Sequence, residues 1–249
     1  MCGRYLLSSA PEAIRALFRY PERPNFPPRY NIAPTQPIPI VRMTEGGRHF
    51  ALVRWGLIPP WVKDPRAFTL LINARAESVH DKPAFKNAIK RRRCLIPADG
   101  FYEWKTEGGR KRPYAARPKG GGPMAFAGLW ESWIGPNGEE METAAIVTTV
   151  ANREMGAVHD RAPVIVPPEQ FDFWLDGGNV SDVEAATLFG PAPDGSMKVY
   201  EISPAVNHVA NDSPQLIEPY DSSAEPAPEK PKPQRKPRAV ADSGQGSLF

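Results

Sequence analysis

The sequence predicts an α+β fold: a curved, mainly antiparallel sheet forming a barrel-like core, with helices on its flanks. Three observations carry this expectation. Short apolar or β-branched runs, bounded by Gly, Pro or charged turns, dominate the chain. Strands and helices do not alternate regularly, which argues against a doubly wound parallel sheet. Proline fills 30 of 249 positions, about 12% against a typical share of roughly 5%, and proline is kept out of helix interiors and central ladders. Hydrophobic residues at 41% and charged residues at 24% are an ordinary globular balance, which excludes a fibrous or wholly disordered chain.

The strand runs are Ile38 to Met43, Phe50 to Trp55, Arg93 to Ile96, Met124 to Trp130 and Thr143 to Val150. Helices are expected at Pro11 to Phe18, Pro83 to Lys90, Pro168 to Leu175 and Val180 to Leu188. Three of these begin with Pro, which suits a first helical turn, and Ser181 and Asp182 are caps for the last. Residues 1–221 make one domain. From Ser222 onward the chain is Pro-rich and almost free of large apolar residues, so it cannot offset its ordering entropy and reads as a disordered tail. That tail holds five Lys/Arg against three acidic residues, or +2 of the total +3, which leaves the body close to neutral. Charge alone therefore does not announce a nucleic-acid binder, and the placement of individual arginines must decide.

Several classes of function are excluded. No apolar run approaches the ~18 residues needed to span a bilayer, and the start of the chain is not a secretory signal. Two cysteines, Cys2 and Cys94, make neither a disulfide scaffold nor a four-cysteine zinc site, so a reducing, cytoplasmic setting is expected. His49, His80, His159 and His208 lack metal-ligand spacing, and no Gly-rich phosphate loop is present. Neither a metal nor a cofactor is expected.

The residues suited to chemistry begin at the start of the chain. Met1-Cys2-Gly3-Arg4 places a small residue after the initiator, the situation in which methionine is normally trimmed. The exposed Cys2 would then carry an α-amine with a pKa of about 7.7–8.0, far below a lysine, beside its own thiol. An amine of this kind forms a Schiff base with an aldehyde, and the thiol can add to the imine to close a thiazolidine. The ordinary alternative is a small residue at a frayed terminus. Three further segments embed polar groups in apolar or turn sequence. Leu70 to Glu77 places Asn73, Arg75 and Glu77 on one face if extended. Asp99 to Trp104 sets Glu103 beside aromatics, and Val158 to Pro163 sets His159 between a carboxylate and Arg161. Taken singly, Asn73 could cap a turn, Glu103 could pair with Arg75, and His159 could be a satisfied, partly buried histidine.

Together the segments resemble a family. MCGRY at the start, RYNIAP at Arg29 to Pro34, WGLIPPW at Trp55 to Trp61, INARAES at Ile72 to Ser78, CLIPADGFYEW at Cys94 to Trp104 and HDRAPVI at His159 to Ile165 occur in the order of the SOS response-associated peptidase (SRAP) family. The resemblance covers Cys2 to about Tyr220. It implies the SRAP fold and a protein that shields abasic sites in single-stranded DNA through a covalent thiazolidine cross-link. By this resemblance Cys2 condenses with the opened sugar aldehyde, and Asn73 hydrogen-bonds the terminal cysteine and the sugar. Glu103 relays protons, and His159 protonates the ring oxygen and supports reversal. Arg4, Arg75 and Arg161 are implied phosphate contacts, Trp104 a stacking surface and Pro34 a wedge. Trp61 lies where family members often show two adjacent tryptophans, but here the second position is Val62. Trp55 and Trp130 read equally as core, and Lys90 to Arg93 as a solvated helix end.

The last five residues resemble the QxxLF peptides that dock repair proteins into the replication sliding clamp, with Gln245, Leu248 and Phe249 as the contacts. The implied partners are abasic single-stranded DNA and that clamp, with nucleoid association during repair; a monomer suits the mechanism. Three alternatives stay open from the residues alone. One is an amidotransferase-like N-terminal nucleophile hydrolase, another a thiol peptidase pairing Cys2 with His159, and the third a purely non-covalent DNA-binding module.

Overall fold

The computed structural model describes residues 2–221. Met1, the predicted tail and its Gln245, Leu248 and Phe249 motif lie outside the described residues. The first half contains β1 (Tyr5–Leu7), α1 (Pro11–Phe18), β2 (Arg29–Ile32), β3 (Pro37–Thr44), β4 (Gly47–Trp55), β5 (Asn73–Arg75), α2 (Ala88–Arg91), β6 (Arg93–Ala98) and β7 (Gly100–Glu107). There follow β8 (Arg110–Pro118), β9 (Met124–Ile134), β10 (Glu140–Val150), α3 (Arg153–Gly156), β11 (Arg161–Pro163), β12 (Ile165–Val166), α4 (Phe171–Leu175), α5 (Asp182–Ala185) and β13 (Met197–Glu201).

The five strands read from apolar runs close into one ring, β9–β10–β4–β3–β6, because β9 pairs with both β10 and β6. Every contact around the ring is antiparallel except β4 beside β10, where Arg54 lies opposite Thr143 in parallel. A second, wholly antiparallel sheet runs β13–β8–β7–β1–β2. Aromatic edges join the two layers: Tyr5 meets Trp55 at 5.4 Å and Phe126 at 6.0 Å, and Phe101 meets Phe126 at 6.0 Å. The ring is packed so tightly at Gly128 that a Cβ there would sit 2.8 Å from both Cys94 Sγ and Ile96 Cδ1. Trp55 is fully buried, and its Nε1 donates to Ile72 O at 3.0 Å, which anchors the entry to β5. Trp130 is only half-buried, with the Arg42 guanidinium 4.3 Å from its ring centroid.

Helices occupy the flanks, mostly as short pieces. α1 matches its predicted span: Pro11 opens it, Ile14 and Phe18 face the core, and Arg19 ends it in the left-handed region with φ 57°. The stretch predicted as a helix from Pro83 to Lys90 is helical only over α2, its first residues forming turns. With four residues α2 draws its stability from burying Ala88 and Ile89 rather than from its own ladder. Val180 to Leu188 splits into α5 and a 3-10 turn (Ala186–Leu188). Ser181 caps α5 in a reciprocal capping box with Glu184, while Asp182 is its first helical residue and accepts from His80 instead of capping. Among the described residues no helix is long and apolar enough to cross a membrane.

The basic run at Lys90 to Arg93 needs one correction. Arg93 is 2% exposed, because its guanidinium donates to the carbonyls of Trp174, Ile89, Asp176 and Val180 at 2.5–3.0 Å. It ties α2, α4 and the turn before α5 to the barrel. Arg93→Met keeps the length but removes the guanidinium from four carbonyls, of which the buried pair on Ile89 and Trp174 is each worth about 1–3 kcal/mol when orphaned. Allowing for relaxation, urea unfolding should show stability falling by roughly 3 kcal/mol or more, as a lower midpoint at unchanged slope. A loss below about 0.5 kcal/mol would mean the carbonyls find water instead.

Candidate functional site

Cys2 is fully buried, so it is no frayed end. The side chain of Asn73 fixes it, donating from Nδ2 to Cys2 O at 2.9 Å. Asn73 can do this because β5 lies parallel to β10, with Asn73 opposite Ile146 and Arg75 opposite Thr148. The Oδ1 of Asn73 is buried without a hydrogen-bond partner, an acceptor left for something the site receives. The extended segment stops at Arg75. A 3-10 turn (Ala76–Ser78) then carries Glu77 off the strand, so the single face expected for Asn73, Arg75 and Glu77 is broken.

Glu103 reaches the same place from β7, where it lies opposite Tyr114 and is 3% exposed. Burial pushes its carboxyl above the ordinary carboxylate range, while the charge of His159 pulls the other way. Burial also raises the Cys2 thiol, and the Glu103 charge adds to that rise. The thiol is therefore held neutral, with its hydrogen bond directed to Arg4 O at 3.9 Å. These couplings put Glu103 within electrostatic reach of both Cys2 and His159.

His159 follows α3 and is set by the turn into β11. The Arg161 backbone N–H donates to His159 Nδ1 at 2.9 Å, which leaves the neutral ring's proton on Nε2. The same Nδ1 lies 2.9 Å from Asp160 Oδ1, a partner for the protonated ring.

The predicted DNA-contact residues fall into separate groups. Arg4 and Trp104 share one: the Arg4 guanidinium carbon is 5.9 Å from the Trp104 ring centroid. Arg4 Nη1 also donates to Asn31 Oδ1 at 2.7 Å and Val206 O at 2.8 Å, and Trp104 Nε1 donates to Asn207 Oδ1 at 2.8 Å. Pro34 sits in a turn where Thr35 adopts φ 72°, a conformation non-glycine residues rarely take. Arg75 is exposed on β5. Arg161 is engaged within the fold, because it grips both Glu77 oxygens at 2.6 and 2.9 Å and donates to Thr148 O at 2.7 Å. A phosphate there must compete with a bidentate carboxylate. Trp61 is 59% exposed and packs edge-on against Phe68 of its own loop at 5.5 Å. Its neighbour Val62 turns inward with Ile58 and Trp133, whose Nε1 donates to Val62 O at 2.6 Å. That loop thus presents one indole.

Asn31 and Asn207, which hold Arg4 and Trp104, and Asp212, which accepts Arg29 Nε at 2.7 Å, were not singled out from the sequence. Asn31 stands inside a quoted motif, and a polar residue between Tyr30 and Ile32 in a strand was its only signal. Asn207 and Asp212 carry no signal beyond side-chain type. Among the described residues no group of three or more His, Cys, Asp or Glu is arranged to hold a metal ion.

Comparison with known proteins bears on the family and the fold. A family model described as SOS response associated peptidase (SRAP) matches residues 1–209. Abasic site processing protein YoqW of Bacillus subtilis (strain 168) is 39% identical over 222 residues, covering 88% of this chain and 99% of that protein. Abasic site processing protein YedK of Escherichia coli (strain K12) is 31% identical over 229 residues, covering 88% of this chain and all of that protein. A crystal structure of a Bacteroides thetaiotaomicron protein superposes with a TM-score of 0.77 at 27% identity, over 88% of this chain and all of the other. With its motifs in order, its fold shared and its length matched, the chain belongs to the SOS response associated peptidase family.

Proposed function

We propose that this protein captures abasic sites in single-stranded DNA as a covalent thiazolidine on Cys2, once Met1 has been removed. The relatives named as abasic site processing proteins support the substrate. The observation that carries the chemistry is the assembly of Cys2, Asn73, Glu103 and His159 from four separate segments. The step balances as follows. The sugar hemiacetal opens as a proton reaches its ring oxygen, a role suited to His159. The α-amine attacks the freed aldehyde carbon, and the carbonyl oxygen leaves as water while the imine forms. Sγ then adds to the imine carbon and its proton moves to nitrogen. One C–N and one C–S bond form, and a single water is released. Glu103, buried and raised, can take a proton from the ammonium and return it to the departing hydroxyl. Asn73 holds the Cys2 backbone while its free Oδ1 faces the incoming sugar.

The same electrostatics weigh against a thiol hydrolase. Such enzymes need a thiolate with a depressed pKa, and here burial and a neighbouring carboxylate raise the thiol. The deciding experiment incubates the protein with an oligonucleotide bearing one abasic site and with its undamaged counterpart. A heat-stable shifted band should form with the first alone, and its mass should equal protein plus DNA minus one water. A band absent from both, or a mass with no water lost, would refute the reading.

A further inference from the structure

Two of the DNA-contact candidates meet one short segment after β13, and the turn of a third is tied to it through Arg29 and Gln36. Val206 O receives Arg4 Nη1 at 2.8 Å, and Asn207 Oδ1 receives Trp104 Nε1 at 2.8 Å. Asp212 accepts Arg29 Nε at 2.7 Å, and Arg29 Nη2 donates to Gln36 Oε1 at 2.7 Å. That Gln36 oxygen also accepts Ala33 N at 3.1 Å, closing the turn that carries Pro34 and the left-handed Thr35. Asn31, fully buried on β2, locks the segment down: its Nδ2 donates to the carbonyls of Val206, His208 and Asn211 at 2.7–3.2 Å. Its Oδ1 receives Arg4. Arg4 and Trp104 are thus fixed directly, and the Pro34 turn through two side chains.

Long side chains at a binding surface lose rotamer freedom when they meet a ligand, and fixing them beforehand lowers that cost. An indole whose N–H is already held offers its face to a base or sugar with little left to order. We propose that residues 204–212 form a brace for the strand-gripping surface, with Asn31, Asn207 and Asp212 as positioning residues that aim Arg4, Trp104 and Pro34. The proposal rests on the reading above that this face receives a single strand. It assigns the brace to grip rather than to bond-making.

The test uses the full chain and a fluorescein-labelled, undamaged single-stranded oligonucleotide, so that non-covalent grip is read apart from cross-linking. Asn207→Leu should weaken Kd about tenfold, the scale of one lost stacking contact. Asn207→Asp, which keeps the acceptor, should stay within about threefold of wild type. In a Trp104→Ala background, Asn207→Leu should change Kd by less than about twofold, because the brace acts through the ring. Asp212→Ala should show the same silence in a Pro34→Ala background. Should thermal melting show either variant unfolded, Asn207→Ala, which also removes the acceptor, and Asp212→Asn decide by the same cycles. Equal losses in both backgrounds, or no loss from either residue in a strand-binding wild type, overturn the brace alone. A wild type that retains no single strand overturns the brace together with the reading beneath it.

Discussion

Cys2→Ala is expected to abolish the heat-stable adduct with an abasic oligonucleotide, lowering its rate by at least about a thousandfold, the scale on which removing a covalent nucleophile acts. The α-amine survives this change, so a transient imine can still form. Borohydride should therefore trap a product with Cys2→Ala that vanishes on heating when borohydride is omitted. Cys2→Ser should behave alike, since a hydroxyl closes a far more labile ring than sulfur. Extending the chain by one residue ahead of Cys2 should eliminate the heat-stable product, because the nitrogen beside the thiol becomes an amide and no thiazolidine can close. Denaturing gels with and without borohydride read all three. A heat-stable band from Cys2→Ala would move the bond to another residue.

Glu103→Gln should slow adduct formation by about 10²–10⁴-fold, the usual worth of a positioned proton-transfer group. The same substitution should make the fold more stable at neutral pH. Burial raises the Glu103 carboxyl, so the native state binds more protons than the unfolded chain between the ordinary and the raised value. As pH climbs through that window, wild-type stability falls, because ionised Glu103 must be carried in a buried site. Glutamine carries no such charge. Melting curves should show Glu103→Gln ahead of wild type at pH 7, with the gap closing at about pH 4, below the window. A variant less stable than wild type at pH 7 would show that the carboxylate is better compensated than its burial suggests. Slow chemistry with higher stability is the pattern of a group kept for function at a cost to the fold.

The barrel was legible in the sequence because its strands are buried and apolar. The five runs read from Ile38 to Val150 are the five strands of the ring. The second sheet was not seen as strands because its sequences, such as Lys105-Thr106-Glu107 and Arg110-Lys111-Arg112, are polar enough to pass for loops. Only pairing with neighbours makes them strands. Helix spans held where amphipathic spacing ran two full turns, as in α1, and shrank where local turns competed, as at Pro83. The SRAP motifs pointed to Cys2, Asn73, Glu103 and His159 without showing that Arg161 is tied to Glu77 or that Val62 turns inward. The brace was illegible for a different reason. Asn207 works through a hydrogen bond to a residue about a hundred positions earlier, and no local pattern records that.

The way the ring closes has a consequence for how the protein matures during synthesis. β5, which carries Asn73, pairs with β10 and with no other strand among the described residues. While the ribosome has yet to deliver Glu140 to Val150, the asparagine that holds Cys2 has no seat. If Met1 is removed as proposed, that cleavage has its opening before β10 pairs with β5, because only then is the hold of Asn73 on Cys2 in place.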